Sequence, residues 1–238
     1  MNKTRLIRFI SKYYLNGTVN SVILDSKSDK LTTRFISGDK TLLGELSMDK
    51  SQIEECEVGV YNTEQLTKLL SVLDDINVSV VKSENKSIAL KVSDSNSSVN
   101  YMLSDVSVIN KPPQLKDVPE FQLKINVTPQ FINKFISGKG ALSDTDNFTV
   151  VTDDNGTKLV IGYSSVNTNR VTIPVTTTES SNIENISFNA NVFKEVLSAN
   201  KECESAVFEV SSEGLSRITF KVDDYTSTYY LVSVQDVD

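Results

Sequence analysis

The chain has 238 residues, 39% of them hydrophobic, so it can bury one substantial core or two modest ones. It contains no histidine and only two cysteines, which excludes imidazole-based catalysis and ordinary zinc sites. Its net charge of −7 disfavours nucleic-acid binding only if that charge is evenly spread, because the surface that meets phosphates sets the interaction.

Other classes of site are also missing from the sequence. No glycine-rich phosphate-binding loop occurs, so no cofactor is predicted. No run of about 18 apolar residues occurs, so neither a membrane-spanning helix nor a membrane partner is predicted. Cys56 and Cys203 have no CxxC spacing and are predicted to be reduced thiols of a cytosolic protein. These absences leave few candidates for catalysis, although carboxylates remain available, and we predict a non-enzymatic protein.

The first half begins with a predicted helix, followed by strands, a second helix and further strands. The apolar stripe of the first helix consists of Leu6, Ile7, Ile10 and Tyr14. The second helix is predicted at 63–73, where leucines recur at helical spacing after Asn62 or Thr63 as the N-cap. Strands are predicted at 19–25, 31–37, 41–48, 54–61, 76–82, 87–92 and 98–103.

The second half repeats this order. Arg8-Phe9-Ile10-Ser11 is echoed about 126 positions later by Lys134-Phe135-Ile136-Ser137. The turns at 25–31 and 153–159 match, as do Tyr61-Asn62 and Phe188-Asn189 before the second helix of each half. The segments 91–94 and 221–224 each precede a last strand. Four matches in one order indicate an internal duplication.

A proline-bearing segment separates the two halves. Residues 106–121 contain Pro112, Pro113 and Pro119, which favour extended backbone and remove hydrogen-bond donors. We therefore predict domains at 1–108 and 120–238, joined by a connector at 109–119. From the sequence alone, a plain linker and a recognition segment are equally good interpretations of the connector.

Basic residues are concentrated on the first helix of each half. Arg5, Arg8 and Lys12 fall at i, i+3 and i+7, so they share one helical face. Such a stripe is usually a solvated surface, but acidic residues are absent from both first helices and the pattern is repeated. Lys68 and Lys194 are weaker candidates, because Glu64 and Glu195 lie beside them. The predicted DNA-facing residues are Lys3, Arg5, Arg8, Lys12, Lys68, Lys134, Lys139 and Lys194.

The duplicated plan resembles the processivity-clamp family that includes PCNA, and is most similar to the clamps of T-even-type tailed bacteriophages. The likeness covers nearly the whole chain. It is carried by residues 58–75, with the sequence VGVYNTEQLTKLLSVLDD, and by the connector core Asn110-Lys111-Pro112. The resemblance implies an α+β fold with two similar domains of the DNA-clamp type. Antiparallel sheets would form the outside of a ring that four short helices line.

The resemblance also implies a function and partners. The chain would form a homotrimer that encircles double-stranded DNA without sequence preference and tethers a DNA polymerase. An ATP-dependent clamp loader would open and close the ring in the cytoplasm of the bacterial host, and late transcription could use the same ring. Partner tails would bind an apolar groove, for which we predict Ile109, Pro112, Leu115, Tyr229 and Tyr230.

The subunit interface is assigned from the family pattern to two strands, 99–103 and 170–175. Its predicted residues are Val99, Tyr101, Leu103, Val171, Ile173 and Val175. Pro174 lacks a backbone donor, which limits pairing there. Two other classes stay open: a non-catalytic β-rich virion or adhesion protein, and a carboxylate-dependent hydrolase. The first predicts neither a basic helix nor a repeat, and the second needs a converging acid pair that no spacing singles out.

Overall fold

The computed structural model describes residues 3–74, 77–84, 86–164, 166, 168–179 and 183–234. Within them lie four α-helices: α1 (Lys3–Tyr14), α2 (Thr63–Ser71), α3 (Pro129–Ala141) and α4 (Ala190–Ala199). The strands of the first half are β1 (Val22–Lys27), β2 (Lys30–Ile36), β3 (Leu42–Asp49), β4 (Cys56–Val60), β5 (Asn77–Ser83), β6 (Lys86–Ser93) and β7 (Ser98–Met102). The predicted start of β5 at Ile76 lies outside the described residues.

The strands of the second half are β8 (Leu123–Val127), β9 (Asn147–Asp153), β10 (Gly156–Ile161), β11 (Val171–Pro174), β12 (Thr177–Glu179), β13 (Ile186–Asn189), β14 (Ala206–Val210), β15 (Leu215–Val222) and β16 (Tyr225–Val232). Short 3₁₀ turns follow α1 and β7. None of the helices in the described ranges is long and apolar enough to cross a membrane.

The chain divides into two compact units. Unit 1 consists of 1–38, 44–113 and 223–227, and unit 2 consists of 39–43, 114–222 and 228–238. The boundary between 113 and 114 falls inside the predicted connector. Two hairpin tips, 39–43 and 223–227, belong to the unit opposite to their half of the sequence. The sequence of a turn does not indicate which distant residues it contacts, so the unit to which each tip belongs could not be predicted from the sequence.

In unit 1, strands ordered β3-β2-β1-β4 form one antiparallel sheet and β5-β6-β7 form another. Helices α1 and α2 pack against each other. The buried face of α1 is Leu6, Phe9, Ile10 and Tyr13, so Tyr13 replaces the predicted Tyr14. Thr63 donates a hydrogen bond to the Tyr13 hydroxyl across 3.3 Å, and burial raises the pKa of that phenol.

Unit 2 repeats the plan with a different core. Its strands are ordered β12-β8-β14-β15-β16 and β11-β10-β9-β13, and α3 packs against α4. Phenylalanine rings fill the space between: Phe193 lies 4.9 Å by ring centroid from each of Phe135, Phe148 and Phe208. Both second helices start alike, because Asn62 accepts from the Gln65 N–H at 2.9 Å and Asn189 from the Val192 N–H at 3.0 Å. Of the two predicted caps, Asn62 and Thr63, the structure has Asn62.

One glycine fixes how closely β2 and β3 pack in unit 1. A Cβ placed on Gly44 would lie 2.2 Å from the Phe35 ring, which is buried. The ring therefore occupies the place that any larger residue at position 44 would need. By contrast, a Cβ on Gly140, near the end of α3, would meet nothing within 4 Å.

These two glycines give a matched test. Gly44→Ala is expected to lower the free energy of unfolding by about 1–3 kcal/mol, because the methyl group overpacks the core. Gly140→Ala is expected to raise it by up to about 1 kcal/mol, because alanine favours helix. Urea denaturation followed by circular dichroism would measure both. An equal effect of the two changes would contradict the packing of Phe35 on Gly44.

Candidate functional site

The predicted basic stripe of α1 lies against the tip of the β15–β16 hairpin, within unit 1. An Arg5 guanidinium nitrogen is 3.1 Å from an Asp224 carboxylate oxygen and donates to the Asp49 carbonyl at 2.7 Å. Arg8 pairs with Asp223 at 3.0 Å. Lys50 reaches the second Asp224 oxygen at 3.5 Å. The α1 cations are therefore partly neutralised by the protein itself.

The ring of Tyr225 packs beneath the cations of α1. The Lys12 ammonium lies 5.7 Å, and the Arg8 guanidinium 5.9 Å, from the centre of its ring. The Tyr225 hydroxyl donates to the Arg5 carbonyl at 3.0 Å, and burial raises the pKa of this phenol. Lys12 is fully buried. The prediction that Lys12 faces DNA is therefore wrong, because its ammonium is enclosed over an aromatic face.

The two lysines predicted on α3 have different surroundings. Lys139 is buried and donates to the carbonyls of Leu142 and Ser143 at 3.3 Å and 2.8 Å. Both carbonyls lie just beyond Ala141, the last residue of α3, so the side chain is held at the end of the helix. The prediction that Lys139 faces DNA is therefore wrong. Lys134 is exposed, with Gln130, Asn133 and Ser137 on the same side of the helix. Sequence reasoning missed these three neutral polar residues.

The remaining predicted cations are paired or anchored. Lys68 lies 2.5 Å from Glu64, and this mutual contact lowers the pKa of Glu64 and raises that of Lys68. Lys194 lies 3.6 Å from Glu195. Lys3 donates to the Leu73 carbonyl beyond the end of α2. The acidic neighbours that the sequence indicated are thus real ion-pair partners. Lys68 is nevertheless 74% exposed, against 39% for Arg8, and Lys134 is exposed on α3.

Two of the predicted partner-groove residues belong to cores. Ile109 is buried in unit 1, where a Cβ on Gly59 would lie 2.9 Å from its side chain. Tyr229 is fully buried in unit 2, and its hydroxyl accepts from the Asn200 amide at 3.0 Å. Neither can line an open groove, so both assignments are wrong. Pro112 and Tyr230 are half-buried, and Leu115 is exposed.

Arg34 fixes the unit 1 end of the connector. Its guanidinium donates to the Pro113 carbonyl at 2.5 Å and pairs with Glu45 at 3.1 Å. In unit 2, Arg217 lies 4.6 Å from the Phe121 ring centre and 2.6 Å from Glu209. Sequence reasoning missed both arginines, since neither belongs to a basic cluster in the chain.

The two strands assigned to the subunit interface are both edge strands. β7 pairs only with β6 in its sheet, and β11 only with β10. The Leu103 N–H donates to the Ile88 carbonyl, towards β6, and the Val175 N–H donates to the Thr157 carbonyl, towards β10. Since inward and outward groups alternate along an edge strand, Asn100 and Met102 of β7 and Thr172 and Pro174 of β11 turn their backbone outward. Pro174 thus loses no hydrogen bond to β10.

The side chains of these strands do not all face outward. Tyr101 is buried, and its hydroxyl contacts the Asn62 N–H and carbonyl at 3.0 Å and 3.1 Å. Ile173 is buried in unit 2. Their assignment as interface side chains is therefore corrected: they support the strands from inside. Val99, Leu103, Val171 and Val175 are half-buried, and Met102, which was not predicted, is exposed.

A surface cleft lies between α3 and β11. Its volume is about 570 Å³, and it is lined by polar residues of α3, including Lys134, and by Val171–Pro174. In the described part of the chain, no group of three or more Cys, Asp or Glu side chains is arranged to hold a metal ion. The arrangement offers polar contact surfaces and open strand edges.

A stability comparison tests the assignment of the two α3 lysines. Lys139→Ala is expected to lower the free energy of unfolding by about 1–2 kcal/mol, because the buried Lys139 side chain and its bonds to the Leu142 and Ser143 carbonyls are lost. Lys134→Ala is expected to change it by less than about 0.5 kcal/mol, because the side chain is exposed. Thermal unfolding of the two variants decides this. Equal stability of the two variants would contradict the buried cap.

Comparisons with known proteins show the fold. No protein-family model matches the sequence, and no curated protein matches it. Among solved structures, the chain is similar to the Proliferating Cellular Nuclear Antigen from Entamoeba histolytica, with a TM-score of 0.76 and 14% sequence identity. The match covers 99% of this chain and 97% of that one. The chain therefore has the PCNA-like clamp fold, with antiparallel sheets and a few short helices, as predicted.

Proposed function

We propose that this chain is the subunit of a sliding clamp, a non-enzymatic ring that encircles duplex DNA and tethers a DNA polymerase. The observation that carries the proposal is the clamp fold itself, matched over 99% of the chain. The repeated basic helices and the connector are independent support from the sequence. The β-rich virion or adhesion class predicts neither a basic helix nor an internal repeat, so the clamp is favoured over it.

The polar character of the helices supports loose contact with DNA. The accessible side of α3 carries Lys134 among amide and hydroxyl groups, and the other cations are largely paired. Such groups contact phosphates without reading bases, so the expected binding is weak, sequence-neutral and sensitive to salt. Enclosure would then supply the persistence that the contact energy does not, and a weak contact permits sliding.

Assembly into a closed ring is supported by the two open edges, and the resemblance implies that the ring is a homotrimer. β7 and β11 differ, so pairing one with the other in a second copy is a head-to-tail contact that repeats until a ring closes. Each unit supplies a precedent for such a contact. In unit 1 the Asp49 N–H at the end of β3 donates to the Asp224 carbonyl just before β16. In unit 2 the Val232 N–H at the end of β16 donates to the Thr41 carbonyl just before β3. By their order in the repeat, β3 corresponds to β11 and β16 to β7, so equivalent strand ends already form such bonds within the chain.

Partners would bind the accessible part of the connector. Leu115 and Val118 are exposed apolar residues of unit 2, and Tyr230 of the same unit is half-buried. Apolar side chains of a partner tail fit such a surface. The polymerase and an ATP-dependent loader would share it. The resemblance of residues 58–75 to phage clamps extends the proposal to a phage replication system, and to late transcription, in the bacterial cytoplasm.

The assembly can be tested at one backbone donor. Asn100→Pro is expected to prevent trimer formation, because it removes an outward N–H of β7 while leaving the bonds to β6 intact. Asn100→Ala keeps that N–H and should assemble like the unchanged protein. Light scattering over a dilution series would measure the mass. A wild-type chain that stays monomeric at high concentration would contradict the ring model. A dimer would require a ring with a different number of domains.

The DNA contact can be tested at Lys134. Lys134→Glu is expected to reduce retention on nicked circular DNA after loading, because the new charge repels phosphates inside a confined channel. The slope of log affinity against log salt for short duplexes should fall by about 0.9 for the lost contact. Lys27→Glu, at an exposed end of β1, makes the same charge change elsewhere. Equal losses in the two variants would mean that only net charge matters, and trimer formation should persist in both.

A further inference from the structure

The α1 cations and the hairpin tip form a graded charge cluster within unit 1. The Arg5–Asp224 pair is inner, with 26% and 33% of the side chains exposed. The Arg8–Asp223 pair is outer, with 39% and 70% exposed. Asp224 also accepts from Lys50 and, through its carbonyl, bonds the Asp49 N–H. Asp224 therefore helps to hold α1 against the hairpin tip, whereas Asp223 contributes an exposed carboxylate beside the half-exposed Arg8.

We propose that Asp223 is an internal counter-anion that restrains the contact of Arg8 with DNA. The proposal rests on the proposed function, because it concerns the DNA-facing side of the same helix. The Asp223 carboxylate stands 3.0 Å from the Arg8 guanidinium, where a phosphate oxygen would otherwise bind. A phosphate that approaches Arg8 meets a carboxylate already in place.

Because the Arg8–Asp223 pair is exposed, Asp223 weakens the contact of Arg8 with DNA without preventing it. Exposed ion pairs are weak and exchange partners readily, so DNA can displace Asp223 but gains less than from a free arginine. The Tyr225 ring under Arg8 keeps the guanidinium near the surface of α1 and does not compete for its N–H donors. The corresponding helix of unit 2 carries Lys134 in the place of Arg8. The two units would then differ in how firmly they hold phosphates.

The backbone at Asp223 permits a clean substitution. Its φ of 50° lies in the left-handed region, in which asparagine and aspartate are enriched among residues other than glycine. Asp223→Asn therefore removes the charge without straining the turn. Asp154, exposed in the β9–β10 turn of unit 2, offers the matched control, because Asp154→Asn changes net charge equally.

The experiment measures binding of a short linear duplex, on which enclosure has no effect, over a salt series from low ionic strength. Asp223→Asn is expected to steepen the slope of log affinity against log salt by about 0.9, one more phosphate contact. Its affinity should then fall roughly three- to fourfold more than that of the wild type over a fourfold rise in salt. Asp154→Asn should keep the wild-type slope. Adding Arg8→Gln to Asp223→Asn should cancel the gain.

Three outcomes would overturn the proposal. Equal changes in Asp223→Asn and Asp154→Asn would show that net charge alone acts. An unchanged slope, or no binding by Asp223→Asn even at low salt, would show that Arg8 does not contact phosphate when uncovered. Failure of the proposed function has a different signature: the wild-type chain would not assemble or stay on circular DNA, whatever the short-duplex slopes of the variants.

Discussion

The placement of α1 depends on one contact, in which the tip of the last hairpin closes over the basic side of the first helix. Arg5 and Asp224 meet across 219 positions of sequence. A lysine is buried in the process, which is tolerable only where an aromatic face and polar atoms replace its water. Tyr225 supplies that face and also holds the helix backbone through its hydroxyl. The first helix therefore cannot reach its final environment until the end of the chain has been made.

The two units use one plan but stabilise it by different means. Unit 1 relies on polar ties, such as Thr63 with Tyr13 and Asn62 with Tyr101, inside an otherwise apolar core. Unit 2 has buried polar ties of its own, such as Asn200 with Tyr229, but it also has tightly packed phenylalanine rings around Phe193. Directed polar contacts specify geometry, whereas ring packing contributes mainly buried area. The helix caps at Asn62 and Asn189 are shared because each depends only on residues next to it in sequence. The cores differ because many combinations of hydrophobic side chains can pack within one backbone.

Local signals in the sequence predicted what local physics decides. The helical spacing of leucines located α2, the choice of Asn62 or Thr63 as its cap bracketed its start, and strand patterns located most of β1–β7. The clamp fold was implied by the resemblance of the duplicated plan to the processivity-clamp family. What failed was the environment of individual side chains. Lys12 and Lys139 look like surface cations, and only tertiary contacts show them to be buried; Ile109 and Tyr229 look like groove residues but fill cores. Asp223 and Asp224 carried no signal, because their partners lie at the other end of the chain.

The outward position of Pro174 bears on solubility. An exposed strand edge is a template for indefinite addition of further strands, the process by which fibrils grow. On β11 the residue that would donate on the open side is a proline, so Thr172 is the one outward donor that Val171–Pro174 offers. A strand of arbitrary sequence gains little from docking there. Only a partner with complementary side chains has reason to bind, so the edge stays selective in a crowded cell.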